Sequence, residues 1–192
     1  MKTCLLLLII FQSLSCANQN ENGEFPTLDF IYDGSLLSSS KIFGGISLSI
    51  PNNFNQVIGN DFLKIEKNLE TIENSFFDTD ILFAFQNKNS GGVIIISKIN
   101  AEKPIIKRLG KEFEKSLVKS SNALDTNRGQ FLINGTETVQ FITSKNDIVN
   151  YKLFFNVMHN ISYQIDHFVL LNNFVNFQPY LESSISTLKV NS

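Results

Sequence analysis

The second half of the chain constrains the fold most, because its apolar and polar residues alternate in segments joined by very short links. Residues 131–133 and 139–142 flank Asn134-Gly135; Tyr151, Leu153, Phe155 and Val157 then share one parity. Ile161, Tyr163 and Ile165 resume the alternation after a tight turn expected at His159-Asn160. A period of two marks strands, and a parallel return would need a crossover of a dozen or more residues. These segments must therefore pair antiparallel, each with its neighbour in sequence.

Upstream, Ile46, Leu48 and Ile50 alternate with Ser47 and Ser49 until Pro51 stops the run, which reads as a half-buried strand. Asn60 or Asp61 can cap a helix with Phe62, Ile65, Leu69 and Ile72 on one stripe. The apolar runs 81–85 and 93–96, joined by turn residues 87–92, read as a hairpin covered on both faces. A second helix follows Pro104, with Ile106, Leu109, Phe113 and Leu117 on its dry side. Lys107, Arg108, Lys111, Glu114 and Lys115 lie on its wet side. A closing helix is expected near Pro179, taken as a first-turn residue, with Leu181, Ile185 and Leu188 inward. Residues 27–41 read either as a short edge strand or as linker. The order predicts an α+β fold, an antiparallel sheet covered by helices as an α/β/α sandwich. A domain of about 150 residues buries ~68–70% of its unfolded surface and needs no disulfide staples.

None could form in any case. The chain has 192 residues, and its two cysteines, Cys4 and Cys16, both precede that domain. Lys2, the apolar run 5–11 and the small or polar Ser13 and Ser15 lead directly to Cys16. This is the layout of a secretory signal, with an apolar run too short to remain as a spanning helix. Ser13-Leu14-Ser15-Cys16 resembles a bacterial lipobox, in which the signal is cut before a cysteine that is then diacylated. An ordinary signal would instead leave one unpaired thiol on a secreted protein. The expected division is thus a lipoprotein signal peptide over 1–15, a lipidated Cys16 with a mostly flexible tether over 16–41, and a single α+β domain over 42–192. Asn, Gln, Glu and Gly dominate residues 17–25, too polar to order themselves. Ala17 rather than Asp after the cysteine favours, by resemblance to the enterobacterial sorting rule, an outer-membrane location in a bacterial cell envelope.

Several phrases of the domain resemble the Mog1/PsbP-like superfamily. They are the Ile46 to Phe54 segment with Pro51, the Ile133-Asn134-Gly135 turn followed by Val139-Gln140-Phe141, and Tyr151 to Phe155. The Ile161 to Ile165 strand and the closing helix through Leu188 complete them. The strand-proline phrase in relatives is often followed by Trp, which this chain lacks. The resemblance implies an antiparallel sheet between helices and a role in binding or assisting other proteins, as in the lipid-anchored DcrB type. Catalysis is not typical of the family. A cystatin- or NTF2-like α+β domain is the structural alternative.

The residue inventory offers little chemistry. With 16 Lys and Arg against 18 Asp and Glu, the formal charge of −2 argues against nucleic acid as a partner. His159 reads as a solvated turn residue. His167 follows the Ile161–Tyr163–Ile165 face, while Asp166 points to the opposite face and cannot form a dyad with it. No Gly-x-Ser-x-Gly elbow nominates a serine. Asp78-Thr79-Asp80 offers two carboxylates but not the remaining ligands of a calcium loop. The pairs Gly44-Gly45 and Gly91-Gly92 belong to no nucleotide phrase, and turn geometry accounts for the second. Asn134-Gly135-Thr136 and Asn160-Ile161-Ser162 match the glycosylation sequon, which carries no weight in a bacterium. Eighteen phenylalanines remain, of which Phe154 and Phe168 alternate away from the obvious core face. They are core if that face is covered, and an apolar patch if it is not.

The expectation is a non-catalytic, lipid-anchored envelope protein that binds or assists another envelope protein. Cys16 is its lipid-attachment residue, and no catalytic residue, metal or cofactor is assigned. Its partners would be the membrane, through the lipid, and an envelope protein. The alternative is a carrier or sensor of a small apolar ligand in a Phe-lined cavity.

Overall fold

The computed structural model describes residues 26–27, 30–73, 79–100, 106–119, 125–158 and 161–191. The strands are β1 (Leu37–Phe43), β2 (Ile46–Pro51), β3 (Asn55–Gln56), β4 (Thr79–Asn87), β5 (Gly92–Ile99), β6 (Asp125–Ile133), β7 (Thr136–Lys145), β8 (Ile148–Met158), β9 (Ile161–Leu170) and β10 (Lys189–Val190). Among the described residues, three α-helices accompany them: α1 (Asn60–Glu73), α2 (Ile106–Lys119) and α3 (Phe174–Ser186).

The expected antiparallel meander forms the larger of two sheets, with seven strands in the order β3-β4-β5-β9-β8-β7-β6. Every adjacent pair in it is antiparallel. Its turns use the residues that turn geometry requires. Asn134 and Gly135 both take positive φ, 48° and 79°, and close a two-residue β6–β7 hairpin. At Gly44, with φ 60°, a Cβ would also collide with the Tyr163 hydroxyl, so the β1–β2 turn has two reasons for glycine.

The smaller sheet was not expected. β1, β2 and β10 pair in the order β1-β2-β10, and together with α3 they cover one face of the large sheet. Ile46, Leu48 and Ile50 of β2 meet Phe85, Ile94, Ile96, Phe155 and Ile165 of the large sheet there, all buried. Of the two readings for residues 27–41, the edge strand holds from Leu37 onward. Thr27 also makes a parallel bridge to Leu132 of β6, so the folded unit includes residues before position 42. The opposite face carries α2, whose Ile106 and Leu109 pack on Ile99, Val139, Phe141 and Phe154. Gly110 leaves little room against the sheet: a Cβ there would lie 3.0 Å from Val139. Phe62 and Ile65 of α1 are half-buried as the stripe predicts; the side chains of Leu69 and Ile72 lie outside the described residues.

The closing helix differs from expectation. It starts at Phe174, so Pro179 stands inside it and not in its first turn. Proline there removes the bond that its N–H would have made one turn back, and interior prolines cost about 3 kcal/mol. Phe174, Phe177, Leu181 and Ile185 are all buried along one stripe. Burying four large side chains at about 1.5–3 kcal/mol each offsets that penalty.

Candidate functional site

The strand pairing places a group of polar side chains in the middle of the large sheet, and its two faces hold different ones. On the α2 face, Lys152 of β8 stands opposite Asp166 of β9 in the register. Their Nζ and Oδ1 atoms are 2.6 Å apart, and each residue is 1% exposed. Asn150 Nδ2 donates to Asp166 Oδ1 at 3.0 Å, and Gln164 Nε2 donates to its other oxygen. The carboxylate thus receives donors from three side chains. The ammonium lies 5.2 Å from the ring centre of Phe113 and 5.7 Å from that of Phe154, within cation–π range. A charge pair this dry depends on the partners around it, since removing one would strand the other.

His167 lies on the other face, under the small sheet and α3. It is 1% exposed, and neither ring nitrogen has a hydrogen-bond partner of ordinary geometry among the described residues. Burial pushes its imidazole down to about 4, partly offset by the Asp166 carboxylate and the Tyr151 backbone. The Tyr151 ring meets it edge-on, with centroids 6.3 Å apart. Tyr151 Oη in turn donates to Gln140 Oε1. Burial, with the Glu182 carboxylate adding to it, raises the Tyr151 hydroxyl well above its ordinary range. Asp166 and His167 do point to opposite faces, as their adjacency in a strand dictates.

Phe154 is core: fully buried, it meets Phe113 at 5.3 Å and Phe141 at 6.1 Å beneath α2. Phe168 is half-buried. Ring-to-ring contacts such as Phe43–Phe83 at 4.8 Å also fill the space between the two sheets.

Cys16, His159 and Asp78 lie outside the described residues. Thr79 and Asp80 enter β4, with Asp80 exposed. Among the described residues no three His, Cys, Asp or Glu side chains converge on a point that could hold a metal, and no helix is long and apolar enough to cross a membrane. Sequence reading missed the Lys152–Asp166 pair. Its signal was a lysine and an aspartate placed mid-strand among mostly apolar and uncharged residues.

The architecture defines an α+β protein with a seven-stranded antiparallel sheet enclosed between helices and a second, small sheet. No family model matches the chain, and no curated protein does either. Two of the solved structures similar to it illustrate the likeness. One is the solution structure of cyanobacterial PsbP (CyanoP) from Synechocystis sp. PCC 6803, at 10% identity and a TM-score of 0.45, covering 90% of this chain and 98% of that one. The other is a crystal structure from Bacteroides thetaiotaomicron VPI-5482, at 12% identity and a TM-score of 0.43, covering 77% of this chain and 46% of that one.

Proposed function

We propose that this protein is a non-catalytic, lipid-anchored component of a bacterial cell envelope, carried by the outer membrane, that binds or assists another envelope protein. Its anchor is a diacylated Cys16, left at the N-terminus when residues 1–15 are removed. Two acyl chains suffice for stable anchoring, since each buried CH₂ contributes about 0.8 kcal/mol.

The observation that carries the non-catalytic reading is the enclosure of the side chains best suited to chemistry. Lys152, Asp166 and His167 are each 1% exposed, two of them paired with each other. General acid–base work needs a group within reach of a substrate proton. What the surface presents instead includes large apolar side chains such as Ile31, Tyr32, Ile42 and Ile58. Such residues suit contact with another macromolecule.

The experiment is photo-crosslinking of the anchored protein in its native envelope, with the probe at Ile42 or Tyr32. One recurrent envelope protein, retained with the anchor intact and lost on detergent extraction of unlinked controls, is the expected result. Crosslinks spread without preference over abundant envelope proteins would contradict the reading.

A further inference from the structure

We propose that the Lys152–Asp166 pair is a register lock, which holds β8 and β9 in one of two pairings that differ by a single residue.

The make-up of the two strands is the first observation. Lys152 is the only Lys, Arg, Asp or Glu in β8, and Asp166 is the only one in β9. Apolar side chains stand on both faces of each strand, Leu153 and Phe154 in β8, Ile165 and Phe168 in β9. A slip of one residue turns every side chain of a strand to the other face, which is prohibitive where that face is wet. Here both faces are covered: Leu153 and Ile165 are buried on one, Phe154 and Asp166 on the other. A slip would exchange one dry face for another, so apolar burial discriminates little. A single charge on each strand, opposite its counterpart, discriminates far more.

The second is the pairing itself. Met158 pairs with Ile161, whereas Asn156 pairs with Ser162, which leaves Val157 as an extra residue on β8. Continued without that extra residue, the Met158–Ile161 alignment would put Lys152 opposite His167 and Leu153 opposite Asp166. Residues directly opposite share a face. β9 would then turn over, and Asp166 would enter the apolar layer under the small sheet while Lys152 stayed beneath α2. Parting a buried pair in this way disfavours the slipped pairing by at least about a hundredfold.

The third is that the extra residue has a seat. Val157 is half-buried against the core between the sheets, and a Cβ at Gly45 would collide with its side chain. The Gly45 N–H also donates to the Tyr163 hydroxyl at 3.5 Å. The Gly44-Gly45 turn between β1 and β2 thus fits the bulged pairing, and a slip would withdraw Tyr163 from it.

Stability alone does not report the lock, because apolar replacement of both partners leaves no stranded charge. Disulfide trapping does. The full chain carries Cys4→Ser and Cys16→Ser, so that introduced reporters are its only thiols. Ile148→Cys with Leu170→Cys marks the observed register, in which these residues are opposite. Val149→Cys with Leu170→Cys marks the slipped one; in the observed register these two point to opposite faces and cannot be bridged. Each chain is refolded from urea with oxidised glutathione, and the bridges are identified by peptide mass. With Lys152 and Asp166 in place, the 148–170 bridge should close in most chains and the 149–170 bridge in very few. Lys152→Met with Asp166→Leu should raise the 149–170 bridge at least about tenfold. The exchanged pair, Lys152→Asp with Asp166→Lys, should bring it back down. If the apolar variant does not fold, Lys152→Gln with Asp166→Asn removes the charges at nearly the same shape and takes its place. A 149–170 bridge that stays rare once the charges are gone, or that rises as much with the exchanged pair, overturns the lock.

Discussion

The two faces of the large sheet solve the same packing problem with opposite chemistry. The face under the small sheet and α3 is a broad apolar layer, whose polar exceptions include the adjoining His167, Tyr151 and Gln140. The face under α2 has a smaller apolar cluster and, beside it, a dry ion pair ringed by amides and phenylalanines. An apolar layer loses stability gradually as atoms are removed. A buried charge pair is nearly neutral as a unit yet severe to break, because removal of either partner strands the other.

The largest expected effect tests that contrast. Lys152→Ala should lower unfolding free energy by about 3–5 kcal/mol, while Lys152→Met with Asp166→Leu should recover most of it. Urea unfolding of the three proteins measures this; a double variant as unstable as the single one would show that the faces are not different in kind.

Next is acid sensitivity, which belongs to the other face. His167 stays neutral in the folded protein down to about pH 4, whereas its unfolded counterpart protonates below about 6.5. Between those values the unfolded state binds more protons, so stability falls as pH drops through that window and is flat above it. The full loss is about 3 kcal/mol. His167→Phe should abolish that part of the slope, as unfolding midpoints at pH 7 and pH 4.5 would show; an unchanged slope would place the sensitivity elsewhere.

Asn134 gives a smaller effect. Its Nδ2 donates to the carbonyls of Ser186 and Leu188 at 2.7 and 2.9 Å, clasping the end of α3 to the β6–β7 turn. Asn134→Asp turns both donations into repulsions and should cost about 1–3 kcal/mol in thermal unfolding. Smallest is the exposed Arg128–Glu114 pair, 2.8 Å apart, which ties α2 to β6. Glu114→Gln should change stability by less than about 1 kcal/mol. A larger loss would mean that α2 depends on surface charge more than on Phe113 and Leu109.

These contrasts also explain what was legible in the sequence. The period of two and the short links gave the meander, and the helical stripes gave α1 and α2, because those signals are local. The small sheet was not legible, since β10 reaches β2 across most of the chain and only two of its residues pair. Pro179 misled because a local rule was overridden by four buried side chains. The ion pair hinged on a single residue. A plain two-residue turn at His159-Asn160 would place Lys152 opposite His167, but the register shifts between Asn156 and Met158 and brings Asp166 opposite instead. Such an irregularity is a tertiary outcome with no composition signature.

Lipid attachment at Cys16 underlies the proposed role, and the intact mass of the mature protein purified from envelopes tests it directly. The expected species begins at Cys16 and carries a diacylglyceryl group, and Cys16→Ser should leave the signal uncleaved at that position and the acyl mass absent. A mature chain that begins elsewhere, or one that begins at Cys16 with a free thiol, would contradict the anchored-lipoprotein reading.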